Sequence, residues 1–325
     1  MLHQSKFKKL CRISGIAILA IGLAACGNNQ TDQNTSDTKN NTTEEQHSNT
    51  RKVTDAMGHE IEVPVHPERV LATYLEDYLV ALNVKPVAQW SVSNGIQDYL
   101  QDDLLEGVPT IPHDLPFEAV QELSPDLIIM DSAEMVEGGK YEQYSKIAPT
   151  YVVGNNQNNN WRDELIEVGK VLNKEDEAKQ VLAEYEKLAK DAKEKLASKG
   201  TPPSAAAVWL VNNNFFIVSS NLSSGDVLYN DLGLEVPSVV EEISAKATSN
   251  WNPISLEKLT ELDADYLFLI NSDKQGASEI NKNLWNTIPA VQNNQVIEIP
   301  ASSSWLYTGT IANTEIIEDV LEAIK

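Results

Sequence analysis

Apolar and polar positions along this chain change period several times, from the alternation of strands to the three-or-four spacing of helices. Two short alternating runs, at 52–55 and 60–63, predict a hairpin that ends at Pro64. Beyond it, apolar runs alternate with helical segments, which predicts an α/β fold. The predicted strands are 70–74, 86–90, 126–130, 151–153, 205–210, 215–218, 266–270 and 296–299, and the predicted helices include 76–82, 161–172 and 312–324.

The longest periodic segment runs from Lys174 to about Ser198, with Asn173 as its expected cap. Apolar residues recur there every three or four positions, and Gly200 with the Thr-Pro-Pro after it ends the pattern. At about 1.5 Å per residue such a helix spans roughly 37 Å, the breadth of a small domain. We therefore expect one long helix to join two α/β lobes, with an N-terminal lobe at 51–160, a connecting helical segment at 161–200 and a C-terminal lobe at 201–325.

The two predicted lobes carry a weak internal repeat. Glu118 precedes Asp126 by eight residues, and Glu257 precedes Asp265 by the same number. Each aspartate stands at the head of an apolar strand. A glutamate, a helix and then a strand are common in α/β chains, so coincidence is the alternative explanation. Together with the long helix, the repeat favours two lobes of similar construction.

The N-terminus has the pattern of an export signal. Basic residues precede an apolar run from Ile13 to Leu23, which is too short to span a bilayer as a helix but suits the core of a signal peptide. The run ends in Leu-Ala-Ala-Cys-Gly, which resembles the lipobox of bacterial lipoproteins. We expect a signal peptide at 1–25, a lipid on Cys26 and a flexible polar tether at 26–50. A plain secretory signal with an incidental cysteine is the alternative.

Charge and cysteine content narrow the function. The chain has 25 Lys+Arg and 48 Asp+Glu, a net charge of −23. Loss of residues 1–25 would remove four basic residues and no acidic one, leaving 21 against 48 and a net charge of −27. The negative electrostatic potential of such a chain disfavours the binding of nucleic acid and of polyanionic ligands. Cys11 and Cys26 are the two cysteines, so the mature domain has no internal disulfide and depends on its apolar core.

Catalytic motifs are absent from the sequence, which contains no HExxH, GxSxG, P-loop or GxGxxG pattern. The histidines after the signal are His47, His59, His66 and His113, and only His113 falls in the lobes beyond the hairpin. A triad through His113 would lack a marked nucleophile. A bare transition-metal site would need more converging histidines or carboxylates. We therefore expect a binding protein rather than an enzyme, with no direct metal ligand and no cofactor.

Large aromatic residues follow predicted strands, where α/β folds bind ligands and where flat rings can cover a bulky, partly apolar molecule. Each of them can instead cap the edge of the core. Trp251 is expected in a polar loop just before the second glutamate motif. The aromatic candidates for ligand contact are Trp90, Tyr99, Trp209, Trp251, Trp305 and Tyr307.

From about residue 52 to the C-terminus the chain resembles the iron–siderophore substrate-binding proteins of ABC importers, particularly the ferric-hydroxamate binders. The resemblance implies two Rossmann-like lobes joined by a single long α-helix, the class III periplasmic-binding-protein fold of helical-backbone metal-receptor type, with ligand in the cleft. It rests on Val-Pro-Val-His-Pro-Glu-Arg-Val at 63–70, Leu-Asn-Val-Lys-Pro-Val at 82–87, Leu-Ser-Pro-Asp-Leu-Ile-Ile at 123–129, Ile-Ala-Pro-Thr at 147–150 and Gly-Asp-Val-Leu-Tyr-Asn-Asp-Leu-Gly-Leu at 225–234.

The resemblance also implies a function. Such proteins are monomeric, are lipid-anchored on the extracytoplasmic face of the cell membrane, and deliver a ferric siderophore to a permease dimer and its ATPase. Glu118 and Glu257 match the lobe-tip glutamates that engage permease arginines. The family's ligand contacts fall near His113, Tyr99, Trp251, Trp305 and Tyr307.

Arginine content indicates the class of ligand. Many family members carry an arginine after the strand at 215–218, where this chain has Ser219, Ser220 and Asn221. Ferric complexes of catecholate and citrate siderophores are anionic, and bidentate arginines are the natural groups to bind them. The low arginine content therefore favours a neutral or cationic hydroxamate complex. Lysines can still line the cleft. Haem, cobalamin, citrate-type or catecholate cargo remain alternatives, as do an extracellular hydrolase and an adhesin. The arginines beyond the tether are Arg51, Arg69 and Arg162.

Overall fold

A computed structural model describes residues 49–93, 95–156, 159–273 and 282–324. The predicted signal peptide, Cys26 and all but the last two residues of the predicted tether lie outside the described residues. Within the described part, no helix has the length and apolar character that a membrane crossing requires.

The described chain begins with the hairpin that the alternating pattern predicts. Strand β1 (Thr50–Thr54) pairs antiparallel with β2 (Glu60–Pro64), and their buried valines and isoleucine face the interior. The Asp55 carboxylate accepts hydrogen bonds from the backbone N–H of Met57 (3.0 Å) and His59 (2.8 Å), which closes the turn.

The first sheet consists of three parallel strands. β3 (Val70–Leu71), β6 (Leu127–Ser132) and β7 (Thr150–Gly154) lie in the order β3-β6-β7. Every residue of β6 and β7 is buried, as expected for parallel strands that are covered on both faces. A second parallel pair and three helices complete this half: β4 (Gln89–Ser91), β5 (Thr110–Pro112), α1 (Glu76–Ala81), α2 (Phe117–Leu123) and α3 (Lys140–Tyr144).

Two helices lead from the first half to the second. α4 (Trp161–Val171) is capped by the Asn160 side chain, which accepts from the Arg162 backbone N–H. α5 (Glu175–Ala197) has 23 residues and is the long helix that the periodicity predicts. It begins later than expected, because Asn173 adopts a left-handed φ of 59° and the cap position falls to Lys174.

The second sheet has five strands: β8 (Ala205–Val211), β9 (Asn214–Val218), β10 (Trp251–Ile254), β11 (Tyr266–Asn271) and β12 (Val296–Pro300). Their order is β10-β9-β8-β11-β12, in which β8, β11 and β12 pair in parallel and β9 pairs antiparallel with both β8 and β10. The remaining helices are α6 (Ser224–Asp226), α7 (Ser238–Ser244), α8 (Leu256–Leu259), α9 (Lys282–Trp285), α10 (Pro289–Gln292) and α11 (Thr310–Ala323).

The internal repeat has a structural counterpart in both halves. The Asp126 carboxylate accepts from the backbone N–H of Glu68 (2.8 Å) and Arg69 (3.0 Å), just before β3. Asp265 accepts from the backbone N–H of Ser204 (2.9 Å), just before β8. Each aspartate therefore fixes the start of the neighbouring parallel strand. The three-stranded orders β3-β6-β7 and β8-β11-β12 correspond.

The apolar interior is continuous between the two sheets. One buried cluster contains Val70 and Leu127 of the first sheet, Ala206 and Leu267 of the second, and Tyr185 of α5. A further cluster is built from residues of the first half. The protein thus has two Rossmann-like α/β lobes joined by a long helix, and the lobes share a core. The described residues belong to one compact unit, His47–Lys325.

Candidate ligand-binding site

Four aromatic rings meet at the junction of the two lobes, and we call them the aromatic cluster: Tyr74, Trp90, Tyr99 and Tyr307. The ring centroids of Tyr74 and Trp90 are 5.4 Å apart, as are those of Tyr99 and Tyr307. Tyr307 also lies 6.5 Å from both Tyr74 and Trp90. Three rings come from the first lobe and Tyr307 comes from the second, so the cluster bridges the lobes. Trp90, Tyr99 and Tyr307 are among the aromatic residues singled out from the sequence.

Tyr74 is the member that sequence reasoning missed. It was expected to continue the strand 70–74, but β3 ends at Leu71 and Tyr74 adopts a left-handed φ of 67°. That conformation is uncommon for a bulky residue and occurs where surrounding structure holds it. The ring is 42% exposed, which is unusual for a large apolar group in this chain. No propensity or periodicity marks such a residue.

Two buried carboxylates of α1 hold the cluster in place. Glu76 accepts from the backbone N–H of Trp90 (2.6 Å). Asp77 accepts from the Tyr99 hydroxyl (3.0 Å) and from the backbone N–H of Ile311 (3.0 Å) and Ala312 (2.9 Å). Burial raises the pKa of Glu76 to about 7 and that of Asp77 to about 6. Asp77 thereby ties the first lobe to the first turn of α11.

Next to the aromatic cluster is a cavity of about 290 Å³, which we call the acidic cavity. Tyr74 lines the cavity and belongs to the cluster, so the two are contiguous. Both lobes and the start of α4 contribute to its wall. The lining residues are Tyr74, Leu75, Tyr78, Asp131, Asn159, Asn160, Trp161, Glu164, Asn221, Leu222, Ser223, Asp226, Asn250 and Thr308.

A pair of carboxylates forms part of this wall. Asp131 and Glu164 are neighbours in this wall, and the Tyr78 hydroxyl donates to Glu164 Oε2 (2.7 Å). Burial raises the pKa of both carboxyls, and for Glu164 the neighbouring Asp131 raises it further. One proton shared between the two oxygens is the arrangement that such burial favours.

The arginines of the lobes are already engaged by the protein. Arg162 forms ion pairs with Asp226 (3.3 Å) and Asp231 (2.6 Å), and its guanidinium lies 4.4 Å from the centre of the Trp161 ring. Arg51 donates to the Lys170 carbonyl, and Arg69 Nε donates to the Ser124 carbonyl (2.8 Å). The described residues that line the acidic cavity include no Arg, Lys or His.

Two further aromatic candidates form a second group on the C-terminal sheet. Trp209 lies 6.2 Å from Trp251 and 5.4 Å from Phe216, centroid to centroid. Trp251 was expected in a polar loop, but it begins β10, where it pairs with Val218. Its buried Nε1 has no acceptor among the described residues. The remaining candidate, His113, is exposed after β5, and its backbone N–H donates to the Ser91 carbonyl (3.0 Å).

Trp305 requires a correction. Its position after a predicted strand suggests a ligand contact, but its side chain is fully buried. Its ring stacks on Phe268 with centroids 4.7 Å apart, and its Nε1 donates to Asp319 (2.8 Å). The ring therefore fills the core of the C-terminal lobe. A strand-end position in the sequence does not distinguish a ring that turns inward from one that faces a cleft.

The two predicted docking glutamates occupy matching positions. Glu118 is the second residue of α2 and Glu257 the second residue of α8, and both side chains are exposed. Each follows an apolar first residue and precedes the aspartate that fixes a strand. The two helix starts differ in their caps, since the Ser255 side chain caps α8 and no side chain caps α2.

In the described part of the chain, no group of three or more His, Cys, Asp or Glu side chains is placed to hold a metal ion.

Comparison with known proteins identifies the class. Residues 72–303 match the profile of the periplasmic binding protein family, and the chain belongs to that family. The iron(3+)-hydroxamate-binding protein YxeB of Bacillus subtilis is 27% identical over 97% of this chain and 97% of its own length. The probable siderophore-binding lipoprotein YfiY of the same organism is 29% identical over 92% of this chain and 93% of its own.

A solved structure shows the same fold. Staphylococcus aureus SirA, crystallised with staphyloferrin B, is 28% identical and superposes with a TM-score of 0.68, covering 84% of this chain and 98% of SirA. The predicted class III fold, with two lobes and a single long connecting helix, is thereby confirmed.

Proposed function

We propose that this protein is the solute-binding component of an ABC importer and that it carries a ferric siderophore of the hydroxamate class. The observation that carries the proposal is the aromatic cluster, which joins rings from both lobes beside a cavity whose described lining residues include no Lys, Arg or His. Flat rings suit the organic shell of a bulky chelate. Iron would keep its chelator oxygens, since the described residues offer no metal site of their own.

The choice of hydroxamate rests on charge. Arg51, Arg69 and Arg162 are bound to carbonyls or carboxylates of the protein, so none is free to clamp an anionic complex without breaking those contacts. Asp131, Glu164 and Asp226 add acidity at the cavity wall. The relatives named above are associated with different siderophores, and the composition of this site argues for a neutral or cationic complex.

Location and partners complete the proposal. A lipid on Cys26 would anchor the domain at the extracytoplasmic face of the membrane through the tether at 26–50, and the name of the relative YfiY as a lipoprotein supports this. Glu118 and Glu257 would meet arginines on the two halves of a permease dimer. Such a carrier binds and releases its cargo unchanged, so the proposal includes no catalytic group.

The test is calorimetric titration of the soluble domain with ferric hydroxamate, catecholate and citrate complexes. We expect hydroxamate to bind most tightly. Tyr307→Ala and Trp90→Ala should each weaken it by more than about tenfold, because buried aromatic contacts commonly dominate binding energy.

Tyr141→Ala serves as the matched control, because this ring stacks on His59, with centroids 3.9 Å apart, and is in neither the cluster nor the cavity wall. Undiminished hydroxamate affinity in both cluster variants, with melting curves like that of the parent, would refute the proposed site.

A further inference from the structure

We propose that the acidic cavity is a subsite for one protonated primary amine carried on an arm of the ligand. The inference rests on the proposed function and narrows it to chelates that bear a free ammonium group. It concerns the residues of the acidic cavity, for which no motif in the sequence indicates a role.

Size restricts what can enter. Pockets that enclose a complete small-molecule ligand measure about 300–1,000 Å³. The acidic cavity, at about 290 Å³, lies at the lower end of that range, so it has room for one arm of a large chelate. Because Tyr74 belongs to both the cavity wall and the aromatic cluster, a chelate held by the rings would direct an arm past Tyr74 into the cavity.

The wall is rich in hydrogen-bond acceptors. Three carboxylates and the amides of Asn159, Asn160, Asn221 and Asn250 line it, without any basic side chain among the described lining residues. A primary ammonium has three donors and no acceptor, so it matches such a wall. The ring of Tyr74 adds a face over which a cation can lie.

The wall of the cavity carries net negative charge. Asp226 lies 3.3 Å from Arg162, but the same guanidinium also pairs with Asp231 at 2.6 Å. Asp131 and Glu164 are neighbouring carboxyls of the cavity wall, and burial favours one retained proton on the pair, which leaves one negative charge. Neither has a Lys, Arg or His within ion-pair distance in the part of the chain that the structure describes. A buried charge without a counter-ion is costly, and a single ligand cation would compensate it.

The other titratable groups around this pair do not supply the missing cation. Tyr78 donates to Glu164 from the first lobe, and Glu134 adds negative charge near Asp131. The guanidinium of Arg162 is directed to Asp226, Asp231 and Glu186. None of these groups therefore places a cation on the pair.

An independent feature of the wall also indicates a polar ligand group. Trp161 is 5% exposed and lines the cavity, and its Nε1 has no acceptor among the described residues. Its ring is fixed edge-on against Tyr185, with centroids 4.8 Å apart. A buried indole N–H without an acceptor is unfavourable. A carbonyl or hydroxamate oxygen close to the amine would satisfy it.

The experiment compares two forms of one chelate. A linear ferric trihydroxamate with a free terminal amine and the same complex after N-acetylation are titrated into the soluble domain by calorimetry. We expect the parent protein to bind the amine form at least about tenfold more tightly. Asp131→Asn and Glu164→Gln, which keep side-chain volume, should each reduce that preference to less than threefold, because each removes the negative charge that the ammonium group would compensate.

Asp114→Asn, at an exposed acid of the same lobe, is the control and should keep the full preference. Equal binding of the two forms by the parent protein overturns the subsite and leaves the proposed function standing. An unaltered preference in the two cavity variants overturns it as well. Failure of both chelates to bind the parent protein counts against the proposed function itself. Two separate variants guard against the misfolding of one.

Discussion

Glu76 is an acid in a place from which water is excluded. Its side chain is fully buried, Oε1 accepts from the Trp90 backbone N–H, and Oε2 has no partner among the described residues. Desolvation disfavours the ionised form more than that single hydrogen bond favours it, so the pKa rises from 4.5 to about 7. The folded chain then retains a proton over a pH range in which the unfolded chain has lost it.

The consequence is a stability that increases in mild acid. Because the folded-state pKa is raised, the free energy of unfolding should rise as pH falls from about 8 to about 5, and Asp77, with a pKa of about 6, acts in the same direction. Glu76→Gln should raise the unfolding free energy at pH 8 by about 1–3 kcal/mol and flatten the pH profile. Urea unfolding at several pH values measures both effects.

Glu122→Gln, at an exposed position on α2, provides the control and should leave the profile unchanged. A parent protein whose stability increases from pH 5 to pH 8 would contradict the assignment of a buried, protonated Glu76.

The sequence predicts the placement of some site residues and not of others. Trp90, Tyr99 and Tyr307 were found by their position after predicted strands, because aromatic type and strand ends are visible in the sequence. Trp305 has the same signals and is buried, since only the packing of Phe268 and α11 decides where its ring points. Asp131 and Glu164 carry no local signal, because they come together only when β6 and α4 pack.

At the scale of elements, α11 depends on a residue from the other lobe. The carboxylate of Asp77 in α1 accepts hydrogen bonds from the backbone N–H groups of Ile311 and Ala312, which belong to the first turn of α11. The N-terminal cap of this helix is therefore supplied by the other lobe. Gly309 permits this approach, because a Cβ there would come within 2.3 Å of the Asp77 carboxylate.

Asp77→Asn should therefore loosen the first turn of α11. An amide can accept through one oxygen, but its NH₂ would face a backbone N–H. We expect a loss of about 1–3 kcal/mol in unfolding free energy near pH 7 and faster amide hydrogen exchange at Ile311 and Ala312. Asp98→Asn, at an exposed acid, should alter neither property. Unchanged exchange in the first turn of α11 would show that Asp77 is dispensable as its cap.

Elements were predictable where their pattern was long or fully apolar. The 23 residues of α5 repeat the helical period many times, and β6 and β11 are apolar runs with a clear beginning, so both kinds were found. β3 was predicted too long because Tyr74 turns into a left-handed conformation that no propensity reveals. β10 was missed because Trp251, Asn252 and Pro253 read as a polar loop, and its strand exists through pairing with β9.

At the scale of the molecule, the repeat places two exposed glutamates equivalently on the two lobes. Glu118→Ala combined with Glu257→Ala should reduce uptake of the labelled ferric chelate by whole cells to background, because both proposed charge contacts with the permease are lost. Chelate affinity of the purified protein should remain within about twofold, since neither residue lines the cavity. Transport assays and calorimetry on the same variant measure the two effects.

Glu122→Ala with Glu241→Ala removes the same charge from exposed positions on α2 and α7 and should leave uptake normal. Normal transport in the Glu118 and Glu257 double variant would exclude the docking role. A loss of chelate affinity would instead place one of these residues in binding.

The shared interior of the two halves has a practical consequence for protein engineering. Exchanging a whole half between this protein and a relative with another cargo would divide a single apolar interior and leave mismatched side chains on both sides of the seam. Specificity should instead be transferred by grafting short surface segments, such as the turn containing Tyr74 and the stretch around Tyr307, onto an otherwise intact scaffold. The unit that can be interchanged in this molecule is thus the loop, and not the lobe.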